Sequence, residues 1–199
     1  MTCLCLTRNR RHWLPKAIQC FLEQTYPNRE LLILADGEDV RDLVPNDDRI
    51  RLLHVSGSPE IGEKRNFGCE RSREIICHWD DDDWSEPARL RTQIETLLQD
   101  GSKAVAGFHS MRFTDGVKWW KYLGTANYAL GTSLCYRREF WKMNRFPSLQ
   151  VGEDNQFVAN AHAQRQLLTT DAGELMYATI HAGNTSPRKL GSNWKAIAA

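Results

Sequence analysis

The sequence has no long hydrophobic run and almost no excess of charge. No apolar stretch approaches the roughly 20 residues that a bilayer-spanning helix needs, and the N-terminus lacks the basic start and the small-residue cleavage site of a signal peptide. Lysine and arginine number 26 against 25 aspartates and glutamates, which gives no general attraction to nucleic acid or to an anionic membrane. We therefore expect a cytoplasmic protein without a transmembrane segment.

Paired cysteines and phosphate-binding glycine motifs are also missing. The six cysteines are scattered and form no CxxC pair, which argues against a disulfide or zinc framework and predicts reduced, buried thiols. Neither GxGxxG nor GxxxxGK[ST] occurs, so the sequence supports neither a dinucleotide-binding fold of that type nor a P-loop. There is no internal repeat or low-complexity segment, and 199 residues fit a single domain.

Apolar runs alternate with helical patterns along the first half of the chain. Buried strands are predicted at residues 3–6, 31–35, 50–55, 75–79 and 103–108, and helices at 14–22, at 61–73 and from an N-cap at Ser85 to Gly101. Strands that alternate with helices through short links are typical of a parallel sheet covered on both faces. The fold class predicted is α/β, with a mostly parallel central sheet.

The second half is less regular. Residues 108–128 are rich in aromatics and glycine without a helical period, which indicates strands and loops shaping a pocket. Further strands are predicted at 133–136, 167–170 and 175–180, helices at 138–143 and 153–164, and a loosely held tail at 189–199.

Four consecutive carboxylates, the acidic run Asp80, Asp81, Asp82 and Asp83, follow the predicted strand 75–79 directly. Adjacent aspartates repel one another unless a cation or water takes up their charge. A solvated turn is the ordinary explanation of such a run. Surface turns prefer glycine, asparagine or proline, however, and this run ends a core strand. We therefore favour a metal site.

Two other polar clusters end predicted strands, one at residues 7–10 and one at Asp36-Gly37. Ligands of parallel α/β sheets bind beyond the carboxyl ends of the strands. The three clusters together therefore predict a nucleotide or similar ligand across the strand tips, with the acidic run at one end.

Ordered sequence blocks carry a family resemblance. They are residues 6–10 with 24–27, 34–37, 64–68 with 79–87, 152–154 and 181–186. In this order they resemble the family 2 glycosyltransferases of the GT-A fold, which are inverting enzymes that use nucleotide-diphospho-sugars. The resemblance implies a Rossmann-like α/β/α sandwich of GT-A type. It would comprise a nucleotide-binding half at 1–107, an acceptor-side half at 108–186 and a C-terminal tail at 187–199.

The resemblance also implies roles on the donor side. Nucleotide-binding positions would be Thr7, Arg8, Asn9, Asp36, Arg65, Asp80 and Asp81. Asp82 would bind the metal directly, and His181 would complete its shell or touch the diphosphate. Carboxylates together with diphosphate oxygens suit a hard cation, Mn²⁺ or Mg²⁺. The donor expected is a UDP-sugar. Without the resemblance, Arg65 would be interpreted as an exposed helix charge and His181 as a structural histidine.

Asp154 is the candidate catalytic base, because an inverting displacement needs a carboxylate to take the proton of the acceptor hydroxyl. Glu153 and Asp154 open a predicted helix, where the macrodipole favours their ionised forms; an ordinary acidic first turn is the alternative. We assign Glu153 to positioning the acceptor. Trp119 and Trp120 fit either stacking on a sugar face or plain core packing.

The chain departs from the family pattern at Arg8, where a tyrosine is usual, and at Ala35, where the first acid is missing. The acceptor stays open among a glycan, a lipid-linked glycan, a protein and a modified nucleic acid, and so does the oligomeric state. A non-catalytic module that binds a nucleotide-sugar or a metal is one alternative. A metal-dependent phosphohydrolase of the haloacid dehalogenase type is disfavoured, because its aspartates would follow the first strand.

Overall fold

Four parallel strands form one half of the sheet, up to one of its edges. The computed structural model describes residues 1–186 and 190–198. In spatial order the four are β3 (Ile50–His54), β2 (Glu30–Ala35), β1 (Thr2–Thr7) and β4 (Ile75–His78). Their positions match the first four predicted runs; β1, β2 and β4 are mostly buried on both faces, and such strands are apolar almost throughout.

Helices pack on both faces of these strands. They are α1 (Leu14–Leu22), α2 (Ile61–Glu70), α3 (Arg89–Gln99), α4 (Arg138–Met143) and α5 (Glu153–Ala163). Alternate residues of β1 enter opposite cores: Cys3 and Cys5 pack in a cluster with side chains of α1 and α3, and Leu4 packs in a cluster with those of α2, α4 and α5. The α/β/α sandwich predicted from the sequence is confirmed.

The second half of the chain extends the same sheet. The long strand β6 (Val105–Thr114) pairs antiparallel with β7 (Trp119–Leu123) and parallel with β9 (Leu167–Asp171) and β10 (Met176–Thr179). Between β4 and β6 lies β8 (Cys135–Arg137), antiparallel to both. A strand from the predicted acceptor-side half therefore sits beside the strand that carries the acidic run.

The predicted N-cap at Ser85 is wrong. Trp84–Ser85 forms a short strand, β5, that pairs antiparallel with β10, and α3 begins only at Arg89. The N–H of Glu86 donates to the carbonyl of Leu175 at 2.9 Å. These partners lie about 90 residues downstream, so the local cap signal was overridden by distant pairing.

The predicted loose tail is wrong in part as well. Trp194–Ile197 forms an edge strand, β11, antiparallel to β7, and the ring of Trp194 packs edge-on against Phe113 with centroids 4.7 Å apart. Residues 187–189 and 199 of that tail lie outside the described residues. In the described ranges no helix is both long enough and apolar enough to cross a bilayer.

Candidate active site

A cavity of about 520 Å³ lies at the carboxyl edge of the parallel strands. Its wall combines the ends of β1 and β4, the start of α5 and residues 183–186. Among the residues predicted from the sequence, those that line it are Thr7, Arg8, Arg65, Asp80, Asp81, Asp82, Glu153 and Asp154. The fold thus brings two of the three predicted polar clusters into one space, as the sheet rule requires.

Asp36, from the third cluster, stands behind the cavity wall. Lys64 Nζ donates to its Oδ1 at 2.7 Å, and Arg8 Nε lies 3.6 Å from its Oδ2. Asp36 is only 2% exposed, yet Oδ2 has no hydrogen-bond partner among the described residues. An orphaned buried oxygen of this kind is a candidate acceptor for a ligand. Lys64 belongs to a block quoted above but was given no role there.

Asn9 has a different place from the one predicted. It does not line the cavity; its Oδ1 instead accepts from the N–H of Glu38 at 3.0 Å. A Cβ on Gly37 would lie 2.3 Å from that same oxygen, so a glycine is needed where the two loops touch. Asn9 therefore holds together the loops after β1 and β2 rather than facing the cavity.

The acidic run provides a set of oxygens suited to a cation. Asp80, Asp82 and Asp83 can each offer an oxygen within 4.8 Å of the others. Burial, followed by the charge of Asp82, raises the pKa of Asp81 to about 7 and that of Asp83 well above its usual range. Adjacent carboxylates whose pKa values are raised would be stabilised in their ionised forms by a bound cation. The donor set is all oxygen, which fits Mn²⁺ or Mg²⁺.

Asp83 was not assigned a role from the sequence. The hydroxyl of Thr132 donates to its Oδ2, and the N–H of Thr179 donates to its Oδ1 at 3.1 Å. It therefore fixes the end of β10 and the turn before β8 against the acidic run. Its position next to Asp82 in the acidic run was the only feature of the sequence that could have indicated a role for Asp83.

His181 lies beside Asp82, the residue to which the resemblance assigns the metal. Its Nε2 lies 2.9 Å from Asp82 Oδ2. The N–H of Gly183 donates to Nδ1 at 3.1 Å, which places the ring proton of a neutral imidazole on Nε2. The ring also stacks on Trp13, with centroids 4.9 Å apart. Two further contacts of Asp82, with Arg10 and Asn184, were not predicted although both residues lie in the quoted blocks.

Arg65 is buried, not the exposed helix charge that its pattern alone suggests. Its Nε donates to Glu153 Oε1 at 2.9 Å, and both side chains are under 10% exposed. Nη1 has no hydrogen-bond partner in the described part of the chain. Glu153 is therefore engaged by Arg65, and the free Nη1 donor lies in a residue that lines the cavity.

Asp154 lies in the first turn of α5, after Gly152 in the left-handed region at φ +86°. Burial raises the pKa of Asp154, and the neighbouring charge of Glu153 raises it further. Its carboxylate rests against the backbone of Gly131: a Cβ there would lie 1.6 Å from Asp154 Oδ2. Only glycine at position 131 leaves room for this carboxylate, a requirement that no local pattern revealed.

Gly131 opens a buried 3₁₀ turn, Gly131–Ser133, whose three carbonyls are each bonded to a buried side chain. His78 Nδ1 is 2.7 Å from the carbonyl of Gly131, Arg89 Nη2 donates to that of Thr132 at 3.2 Å, and Gln93 Nε2 donates to that of Ser133 at 2.7 Å. Burial and then the charge of Arg65 lower the pKa of His78 well below its usual range, so the imidazole is neutral. Because Gly131 abuts Asp154 and Thr132 holds Asp83, this turn connects the candidate base to the acidic run.

Trp119 and Trp120 do not line the cavity in the described structure. Trp119 instead packs edge-on against Tyr177, with centroids 4.9 Å apart. The aromatic residue that does line the cavity is Tyr128, whose hydroxyl donates to Asn155 Oδ1 at 2.9 Å. For Trp119, packing is the interpretation that agrees with this geometry.

Comparisons with known proteins agree with this architecture. A family model described as Glycosyl transferase family 2 matches residues 3–153. A Haemophilus influenzae protein named as an uncharacterized glycosyltransferase is 28% identical over 98 residues, which are 46% of this chain and 39% of that protein. The structure of S. aureus TarS 1–349 in complex with UDP-GlcNAc has a TM-score of 0.77 at 17% identity, over 92% of this chain and 59% of that one.

A second structural relative is the mannosyltransferase PcManGT from Pyrobaculum calidifontis, in complex with GDP-Man and Mn²⁺. Its TM-score is 0.70 at 15% identity, over 89% of this chain and 55% of that one. These likenesses confirm the GT-A type of fold. The chain spans 39% of the Haemophilus relative and 59% of the TarS chain, less than two thirds of either.

Proposed function

The chain belongs to glycosyl transferase family 2, and on that premise we propose that it transfers a sugar, with inversion, from a UDP-linked donor to an acceptor hydroxyl. The observation that carries the proposal is the shared cavity: the acidic run, Arg65 and the candidate base Asp154 all line it. TarS binds UDP-GlcNAc and PcManGT binds GDP-Man with Mn²⁺, which supports a nucleotide-sugar as the donor class.

The donor side is supported by polar atoms that the protein leaves unsatisfied. Asp36 Oδ2 and Arg65 Nη1 are buried without a hydrogen-bond partner among the described residues. Buried polar atoms are normally paired, so a ligand rich in donors and acceptors fits them. In the proposal Asp36 accepts from the nucleobase, and Arg65 donates to the phosphates.

Asp80, Asp82 and Asp83 would hold the cation, and His181 would join them if its ring proton moved from Nε2 to Nδ1. When bound, Mn²⁺ or Mg²⁺ neutralises charge on the departing nucleoside diphosphate. The protein's part is to keep the carboxylates together: Thr132 and the N–H of Thr179 already fix both oxygens of Asp83.

Asp154 would take the proton of the acceptor hydroxyl. Its raised pKa makes it a stronger base than an ordinary aspartate. Gly131 and the hydrogen-bonded turn that follows limit where the carboxylate can lie. Glu153 orients Arg65 in this scheme, in place of the acceptor contact inferred from the sequence.

The test is a thermal-shift panel of UDP- and GDP-sugars with and without Mn²⁺, followed by turnover of the stabilising donor. A ligand that binds only the folded state raises the apparent Tm. Asp82→Asn should lose the Mn²⁺-dependent part of the shift. Asp154→Asn should keep the shift but lose turnover by a factor of roughly 10²–10⁴.

Asp48→Asn, at an exposed loop carboxylate, is the matched control and should change neither measurement. The base assignment is refuted if Asp154→Asn turns over at the wild-type rate. Donor binding without transfer or hydrolysis would favour the non-catalytic module instead. Absence of any stabilising nucleotide-sugar would remove the proposal altogether.

A further inference from the structure

Arg10, in the loop between β1 and α1, extends its guanidinium into the acidic run. Nη1 donates to Asp81 Oδ1 at 3.1 Å and to Asp82 Oδ2 at 2.9 Å, and Nη2 donates to the carbonyl of Gly183. In the described parts of the chain it is the only arginine or lysine that forms an ion pair with this run. The family resemblance gave it no role.

Asp82 Oδ2 accepts from three side chains at once. Besides Arg10, His181 Nε2 lies 2.9 Å away and Asn184 Nδ2 lies 3.3 Å away. A carboxylate has about four lone-pair positions on its two oxygens, so this oxygen is fully occupied by the protein itself. Asp82 is also one of the three aspartates whose carboxylate oxygens lie close enough together to bind one cation.

A divalent ion that binds Asp82 through Oδ2 competes with the guanidinium for that oxygen. Mg²⁺ lies about 2.0–2.1 Å from its oxygen ligands, and a second cation hydrogen-bonded to the same carboxylate at 2.9 Å would be repelled. We propose that Arg10 is an internal cation that competes with the divalent metal for Asp82, so that metal binds only when Arg10 withdraws. The inference rests on the metal site of the proposed function.

The competition also involves a segment that lines the cavity, residues 183–186. Arg10 joins the acidic run to the carbonyl of Gly183, and Gly183 and Asn184 line the cavity. Withdrawal of Arg10 therefore removes a bond to this segment and releases a cationic side chain inside the same cavity. There it is available to an anionic ligand such as a diphosphate.

The experiment measures Mn²⁺ binding without nucleotide, from the free-ion signal in electron paramagnetic resonance. If Arg10 covers the site in nine molecules out of ten, the apparent Kd is about tenfold weaker than the intrinsic one. Arg10→Gln should therefore tighten Mn²⁺ binding by about tenfold or more. Arg11→Gln is the matched control, because Arg11 is the neighbouring residue but pairs with Asp42, away from the acidic run.

The proposal is overturned if folded Arg10→Gln binds Mn²⁺ no more tightly than the wild type. It is also overturned if Arg11→Gln tightens Mn²⁺ binding as much as Arg10→Gln does, because that result indicates a general charge effect. The Tm of each variant is measured first, and Arg10→Met replaces Arg10→Gln if the latter is unstable. Asp82→Asn separates the metal site itself from the competition between Arg10 and the metal. If Asp82→Asn loses Mn²⁺ binding but Arg10→Gln leaves it unchanged, the metal site stands and only the competition is refuted. If neither the wild type nor Arg10→Gln binds Mn²⁺, both the competition and the proposed metal site are refuted.

Discussion

Substitution of Gly131 by alanine tests the position of the candidate base with the smallest possible change. The new Cβ would lie 1.6 Å from Asp154 Oδ2, 2.6 Å from Cγ and 3.0 Å from Cβ of the same residue. Real Cβ atoms essentially never approach another heavy atom closer than 3.0 Å, so the oxygen must move by about 1.4 Å, the difference between 1.6 and 3.0 Å. The carboxylate therefore leaves its place while its chemistry is unchanged.

The size of the effect follows from that displacement. A misplacement of about 1 Å in a catalytic group can cost roughly 10²-fold in rate, which corresponds to about 2.7 kcal/mol in the activation free energy. We expect Gly131→Ala to lower kcat by roughly 10²-fold or more. Donor and Mn²⁺ binding should be retained, because the three atoms nearest to the new Cβ all belong to Asp154.

The assay is donor turnover, with water or an identified acceptor, using the nucleotide-sugar that stabilises the wild type most. Gly101→Ala is the control, since a Cβ at Gly101 meets nothing within 4 Å. The double variant Gly131→Ala with Asp154→Asn adds a second criterion. If the alanine lowers kcat by moving the carboxylate of Asp154, it should lower kcat little further in a protein that already carries Asp154→Asn. A folded Gly131→Ala protein with wild-type kcat would refute the argument, and so would additive losses in the double variant.

Two further predictions concern the residues around Asp154. Because Asp154 must be ionised to act and its pKa is raised, activity should fall on acidification through a midpoint above the ordinary aspartate value of about 3.9. Glu153→Gln removes a like charge and should move that acidic limb to lower pH; a shift to higher pH would contradict this cause. Glu153→Ala leaves buried Arg65 without its partner and should cost about 3–5 kcal/mol of unfolding free energy in urea denaturation. Arg65→Met in the same chain should recover part of that loss, and a cost below about 1 kcal/mol would count against a buried, functional ion pair.

Elements with a strong local pattern could be predicted from the sequence. The strands β1 to β4 and the helix α1 match their predicted ranges. Burial on both faces gives β1, β2 and β4 continuous apolar runs, and burial of one stripe gives α1 a helical period. Trp84–Ser85 and Trp194–Ile197 were missed, because each is a strand only through pairing with a distant partner, β10 or β7. Short segments of this kind carry no period of their own.

The acidic run and the acidic start of α5 were visible in the sequence, because each stands at the end of a recognisable element. Tertiary structure alone decided their surroundings: His181 beside Asp82, 99 residues away, Arg65 against Glu153, 88 residues away, and Gly131 beneath the carboxylate of Asp154. The physical reason is that local sequence was enough to place the acidic run at the end of β4 and the two carboxylates at the start of α5. Which side chains then meet across a cavity depends on how all the strands and loops close around it.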